Sequence, residues 1–294
     1  MDSEVERHLR QMIFDRLTEI TADRGAITRS ELESLEVSNQ VRRVIDRNRG
    51  IWNPRDLNAT LSVVSNPKGP YADTHFGDSL FGYDYEAGST DGSNRKLRRA
   101  YELELPIILL RTIRAGVFVP VFPVYVVADD MPNRRFILAL DESLRSVPDP
   151  LHLSPLERAY AERTTKLRLH QPEFRGKILL AYQQQCTVCT LRHGKLLDAA
   201  HIIGDHKPNG SPIVENGLSL CKLHHAAYDT NLLGISPDYA VRINRELMDE
   251  VDGPMLRHGL QEMDGRTLAL PTRIVDYPSK DRLAERFDEF LTAG

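Results

Sequence analysis

Apolar residues recur three or four positions apart between residues 4 and 24, at Leu9, Ile13, Leu17 and Ile20. That is the spacing of one face of an amphipathic helix, and Gly25 follows as its stop. Thr28 stands three residues before Glu31, a capping-box pair that predicts a second, short helix. A third helical stretch is expected from Val41 to Asn48, ended by Gly50. The period then changes. Leu61 to Val64 reads as strand, residues 66–94 are rich in Gly, Asp, Ser and Tyr and read as long loops, and Asn94 to Glu102 returns to helix. Pro106 to Ile113, Val117 to Val127 and Phe136 to Leu140 are β-rich runs separated by turn residues. Val147-Pro-Asp-Pro150 and Ser154-Pro155 mark a boundary. Residues 156–184 read as helix, broken near Gln171-Pro172, and Asp281 to Leu291 as an acidic amphipathic helix. These elements predict an α+β protein. N-terminal helices and a mostly β domain occupy 1–145, a helical linker 146–182, a small mixed domain 183–245 and a helical extension 246–294.

With 294 residues, 41% hydrophobic and 27% charged, the chain has the balance of a folded protein of about two domains. The most apolar run, Val117 to Ala128, is too short to cross a membrane and contains two prolines. The N-terminus lacks the apolar core of a signal peptide. Three cysteines are too few, and the wrong parity, for a secreted disulfide framework. A cytoplasmic protein with no membrane partner is expected. The net charge of −4 hides an uneven distribution. Residues 155–195 hold eight Lys/Arg against three Glu, net +5; residues 89–114 hold six against three, net +3; residues 246–294 hold six against eleven Asp/Glu, net −5. Such local basic zones can meet phosphates.

The chemistry concentrates between Cys186 and Asp229. Cys186 and Cys189 form a CxxC pair, and Cys221 and His224 a CxxH pair, with 31 residues between them. Two such pairs supply the four ligands of a closed tetrahedral Zn²⁺ site. Inside this clamp lie His201, Asn216 and His225. His225 is expected on a helix starting near Lys222, with Asp229 one turn later on the same face, so the two could share a divalent cation. His201 ends the strand-like run LLDAAHII.

This stretch resembles the HNH endonucleases of the ββα-metal type, with His201, Asn216 and His225 as the signature residues. The resemblance implies that His201 is the general base that activates water against a phosphodiester, a task suited to an imidazole that ordinarily titrates near 6.5. It implies that His225 and Asp229 hold one Mg²⁺ or Mn²⁺, and that Asn216 orients the loop. Many members carry Asp immediately before the general base, where this chain has Ala200. Asp198 is an additional ligand candidate, lying about 6.5 Å along the same strand face, and Asp205 is another.

The stretch from Asn66 to Asp130 resembles the SRA-type modified-base readers of the PUA superfamily, through NPKGPYADTHFGDSLFGYDY, the basic segment NRKLRRAYELEL and an apolar strand. An SRA-like domain followed by HNH resembles modification-dependent restriction endonucleases. The resemblance implies double-stranded DNA as partner and a flipped 5-methylcytosine or 5-hydroxymethylcytosine as the base read. Tyr71, Asp73, Tyr83 and Tyr85 are the pocket candidates, and Arg95, Arg98, Arg99, Arg168 and Arg175 the phosphate contacts. Because one HNH centre cuts one strand, a homodimer is expected. The alternatives are an HNH nuclease that reads sequence or structure, and an inactive DNA-binding module in which Ala200 disables the site.

Overall fold

The computed structural model describes residues 2–65, 80–86 and 92–293. Contacts divide the chain into two compact units, 1–21 with 26–173, and 22–25 with 174–294. The division falls inside the segment read as a linker.

The first unit begins with helix α1 (Ser3–Arg24), strand β1 (Ile27–Thr28) and helix α2 (Arg29–Glu33). The expected capping box is formed: the Thr28 hydroxyl accepts from the Glu31 N–H, and the Glu31 carboxylate accepts from the Thr28 N–H. Gly25, at φ +72°, closes α1 in the left-handed conformation that glycine adopts without strain. Strands β2 (Leu35–Val37) and β3 (Gln40–Arg42) then form a hairpin, and β4 (Ile51–Trp52) follows after a loop. The helix expected over Val41 to Asn48 is therefore corrected. Ser38 and Asn39 both take positive φ, 48° and 63°, which turns the chain in two residues and draws Gln40 to Arg42 into the hairpin.

A mixed sheet dominates the unit. Its order is β4, β5 (Ser62–Ser65), β7 (Ile107–Arg114), β8 (Val117–Asp130), β9 (Arg135–Ala139) and β6 (Phe81–Asp84), with β1 on β8. Only β5 and β7 run parallel among the described strands. The 14-residue β8 pairs with β7 through its first half and with β9 through its second, with register shifts that curl the sheet. Residues 66–94 were expected to be loops, yet Phe81–Asp84 is a strand. Its Phe81 and Tyr83 rings alternate into the core beside β9.

Strand β7 shows why an almost unbroken apolar run was needed. Ile107 and Leu109 enter one core with Leu97 and Ala100 of helix α3 (Gly92–Glu102); Ile108 and Leu110 enter another with Leu9, Ile13 and Leu17 of α1. Both faces of the strand are covered, so the alternation of a half-exposed strand disappears. Helices α4 (Pro155–Thr165) and α5 (Gln171–Ala181) are joined by a π-helical turn, Lys166–His170. The expected break at Gln171-Pro172 is thus a register change: the Gln171 N–H donates to the Lys166 carbonyl, and the helix passes the proline without ending.

The second unit is built on strands β10 (Leu197–His201) and β11 (Gly217–Cys221), antiparallel with Leu197 opposite Cys221 and His201 opposite Gly217. Helix α6 (Lys222–Asp229) follows β11 directly, giving a ββα order. Hairpin β12 (Leu233–Ile235)–β13 (Val241–Ile243), helices α7 (Arg245–Asp249) and α8 (Pro254–Gly259) and the C-terminal helix α9 (Lys280–Ala293) complete it. Leu197, Ala200, Leu218, Leu220, Tyr228 and Leu283 share one core. The acidic helix expected near the C-terminus is α9; it buries Leu283 and lays Phe290 against Gly234, where any Cβ would fall 2.5 Å from the ring. No described helix is long and apolar enough to cross a membrane.

Candidate active site and metal centre

Helix α6 carries two adjacent histidines that face different ways. His224 is 1% exposed. Its Nδ1 lies 3.4 Å from Cys186 Sγ and 3.2 Å from Cys221 Sγ, and Cys189 Sγ is 4.0 Å from Cys221 Sγ. All four ligand atoms fall within 4.8 Å of one another. His224 Nε2 lies 2.8 Å from the Gly259 carbonyl, the kind of outer contact that fixes a metal-bound imidazole. Burial pushes the His224 pKa down, but its hydrogen bonds to the three sulfurs outweigh this and raise it to about 12. Three soft sulfurs closing on one imidazole nitrogen fit Zn²⁺ in donor type and number. The group can hold a metal ion.

His225, one residue on, is part-exposed. Its Nδ1 lies 3.3 Å from Asp198 Oδ2 and its Nε2 3.4 Å from Asp229 Oδ2. Lys222 Nζ also reaches Asp198, at 3.2 Å. Burial pushes the Asp198 carboxyl up, but hydrogen bonds from Lys222 and His225 and the charge of Lys222 hold it below the ordinary carboxylate range. Asp198 needs no bend in β10 to reach this cluster, because α6 brings His225 to the strand. Ala200, on the same strand face, is fully buried in the core. The two carboxylates meet different nitrogens of the imidazole, so His225 can share a hard divalent cation with one of them at a time, and among the described residues only the Cys/His group gathers three or more ligand atoms within 4.8 Å of one another.

His201 stacks on Phe174 with ring centroids 4.0 Å apart and planes 17° apart. Across the ladder stands Gly217, where a Cβ would lie 2.7 Å from Phe174 Cζ and 2.3 Å from Ile178 Cδ1. Glycine is required there for Phe174 to reach the histidine. Asn216 is fully buried. Its Oδ1 accepts from the Ile203 N–H at 2.9 Å, and its Nδ2 donates to the Ile203 and Ser211 carbonyls at 2.9 and 3.1 Å. It ties the loop after His201 to the start of β11. At the far end of α6, Arg286 donates to the Tyr228 carbonyl at 2.5 Å and lies over the Tyr228 ring at 4.8 Å. A cation at a helix C-terminus satisfies carbonyls the helix leaves open.

The other candidate residues lie in different settings. Tyr71 and Asp73 are outside the described residues. Tyr83 and Tyr85 are buried in the core; the Tyr83 hydroxyl donates to the Gly50 and Val64 carbonyls, and the Tyr85 hydroxyl to Asp129. Arg98 pairs with Asp129 at 2.5 Å, Arg99 with Glu102 at 2.6 Å, and Arg95 is exposed. Arg168 donates to the Phe122 carbonyl at 2.8 Å, and Arg175 to the carbonyls of Gly194 and Leu197, each at 3.0 Å. Phe174 and Arg286 carry no local signal in the sequence for the places they take beside His201 and at the end of α6. Lys222 carries one, since Lys222, His225 and Asp229 are spaced three and four apart on one helix face.

The family model described as HNH endonuclease matches residues 186–236, 51 of the 294 residues. This segment is an HNH endonuclease domain, and the protein is a nuclease. No curated protein sequence matches the chain. Among solved structures, the chain is similar to the modification-dependent TagI restriction endonuclease at 15% identity and a TM-score of 0.30, covering 89% of this chain and 90% of that one. It is also similar to the Type IV phosphorothioation-dependent restriction endonuclease ScoMcrA at 15% identity and a TM-score of 0.22, covering 62% of this chain and 48% of that one.

Proposed function

We propose that this protein is a modification-dependent restriction endonuclease, which hydrolyses double-stranded DNA carrying 5-methylcytosine or 5-hydroxymethylcytosine. The observation that carries the reading is the HNH segment folded as ββα, with His201 at the end of one strand and Asp198 of that strand against His225 of the helix. His201, held flat by Phe174, takes the proton from water. Asn216 keeps the loop after His201 in place. His225 and Asp229 are the residues that would hold a divalent cation, Mg²⁺ or Mn²⁺, with Asp198 the other candidate carboxylate, at the opposite ring nitrogen. Such an ion, when bound, stabilises charge on the phosphate and on the leaving 3′ oxygen. Cys186, Cys189, Cys221 and His224 are the residues that would hold structural Zn²⁺ and so tie the segment before β10 to the start of α6.

Substrate selection belongs to the SRA-like N-terminal unit in this reading. Its support is the sequence resemblance over residues 66–130. Tyr71 and Asp73 remain its pocket candidates, while Tyr83 and Tyr85 serve by anchoring β6. Arg95 is the phosphate candidate at an exposed position; Arg98, Arg99, Arg168 and Arg175 are held by protein partners. Two copies acting together would cut both strands.

A paired digest tests the reading. Methylated and unmethylated copies of one plasmid are incubated with the protein and with His201→Ala, in Mg²⁺ and in Mn²⁺. Cleavage of the methylated copy alone, absent in His201→Ala, is expected. Equal cutting of both copies removes the modification dependence, and equal inertness of parent and variant removes the assigned nuclease centre.

A further inference from the structure

Residues 40–56 hold five arginines (Arg42, Arg43, Arg47, Arg49, Arg55) against two aspartates, a net +3 in a chain of net −4. They belong to β3, the loop after it, β4 and the turn beyond. A pocket of about 210 Å³ opens here. Leu9 and Ile13 of α1 with Leu57 and Leu61 supply its apolar lining, while Arg42, Arg43 and Arg55 bring charge to it beside Trp52. Pockets for whole small-molecule ligands usually run to about 300–1,000 Å³, so this one suits a group the size of a phosphate and its sugar.

Four other arginines of the same unit are already committed to acids. Arg98, Arg99, Arg111 and Arg135 each face a carboxylate, of Asp129, Glu102, Glu173 and Asp130. Here Arg42 alone is paired, with Asp56. No carboxylate among the described residues pairs with Arg43, Arg47, Arg49 or Arg55. The Asp46 carboxylate accepts the Asn48 and Arg49 N–H groups of its own loop, in which Arg47 and Arg49 are exposed. The Trp52 indole N–H donates to the Arg43 carbonyl at 2.8 Å, and the Arg43 guanidinium lies 5.8 Å from the ring centroid. The aromatic ring thereby holds the backbone just after β3, where Arg43 sits.

We propose that this surface, the β2–β3 hairpin and the loop to Arg55, binds the phosphodiester backbone of the DNA substrate, with one phosphate seated at the pocket. Guanidinium groups grip phosphate oxygens in pairs and keep their charge at every working pH. The contacts position the duplex without reading bases. The inference rests on the reading of the protein as a DNA endonuclease.

Trp52 is the only tryptophan of the chain, so its emission reports on this surface directly. The full chain carrying His201→Ala, which prevents cutting, is titrated with a DNA duplex at several salt concentrations. Trp52 emission should change in step with binding followed by mobility shift. Adding Arg47→Ala, Arg49→Ala and Arg55→Ala, all at exposed positions, should weaken binding about tenfold or more. It should also flatten the log K against log salt slope by about 2–3, at roughly 0.9 per lost phosphate contact. Unchanged circular dichroism and Tm confirm that the variant is folded. Unchanged Trp52 emission at saturation, or a triple variant with the parent's affinity and slope, overturns this proposal alone. A parent that binds no DNA overturns the endonuclease reading with it.

Discussion

His224 and His225 are neighbours on one short helix, yet they stand in different surroundings. A step of one residue turns the side chain about 100° around the helix axis. That step carries His224 inward to three sulfurs and a carbonyl, at 1% exposure, and carries His225 outward between two carboxylates, its side chain 27% exposed. The inner site has soft donors, is closed and is tied to Gly259 through the second ring nitrogen. The outer site has hard donors and stays accessible. A closed sulfur-rich set suits a structural ion and an open N/O set a working one. Placing the two on consecutive residues ties the position of His225 to that of His224.

Breaking the inner site should have the largest effect. Cys186→Ser should lose the bound metal and the cooperative unfolding of the second unit, because structural zinc contributes on the order of 10 kcal/mol where it organises a fold. Thermal unfolding with metal analysis checks this. Next, His201→Ala should reduce cleavage by about 10²–10⁴ while leaving Tm within a few degrees, since proton transfer by a positioned side chain contributes on that order. Initial cleavage rates alongside calorimetry read both. Third, Asp198→Asn should raise the Mg²⁺ or Mn²⁺ concentration for half-maximal cleavage, and Asp229→Asn should raise it less. Their side chains are 30% and 62% exposed, and the more buried carboxylate is the better fixed. A metal titration of rates ranks them; a larger effect at Asp229 would put the cation at the Nε2 side of His225. Smallest is Lys207→Ala. It removes a partly exposed ion pair to Glu289 of α9 and should cost about 0–1 kcal/mol in denaturant unfolding, without touching the metal requirement.

The Cys186, Cys189, Cys221 and His224 group and the His225–Asp229 contact are legible in the sequence because their information is local. CxxC, CxxH and the His225–Asp229 spacing each span one turn, so residue type and separation suffice. The reach of Asp198 was not legible, since it depends on how α6 packs on β10. Phe174 under His201 depends likewise on Gly217, 43 residues later. The N-terminal helix and its capped successor could be read from period and cap residues. The stretch Val41 to Asn48 could not, because a two-residue turn at Ser38-Asn39 overrides a weak helical pattern. Pro172 misled for a related reason: a π-turn supplies the register that a proline would otherwise break.

The most direct measurement compares metal content and cleavage in His224→Ala and His225→Ala, purified side by side. The account predicts that His225→Ala keeps about one zinc per chain and the parent's Tm but no longer cuts DNA, whereas His224→Ala loses the zinc and the folded second unit. A His225→Ala protein that loses its zinc, or a His224→Ala protein that keeps both zinc and fold, would contradict it.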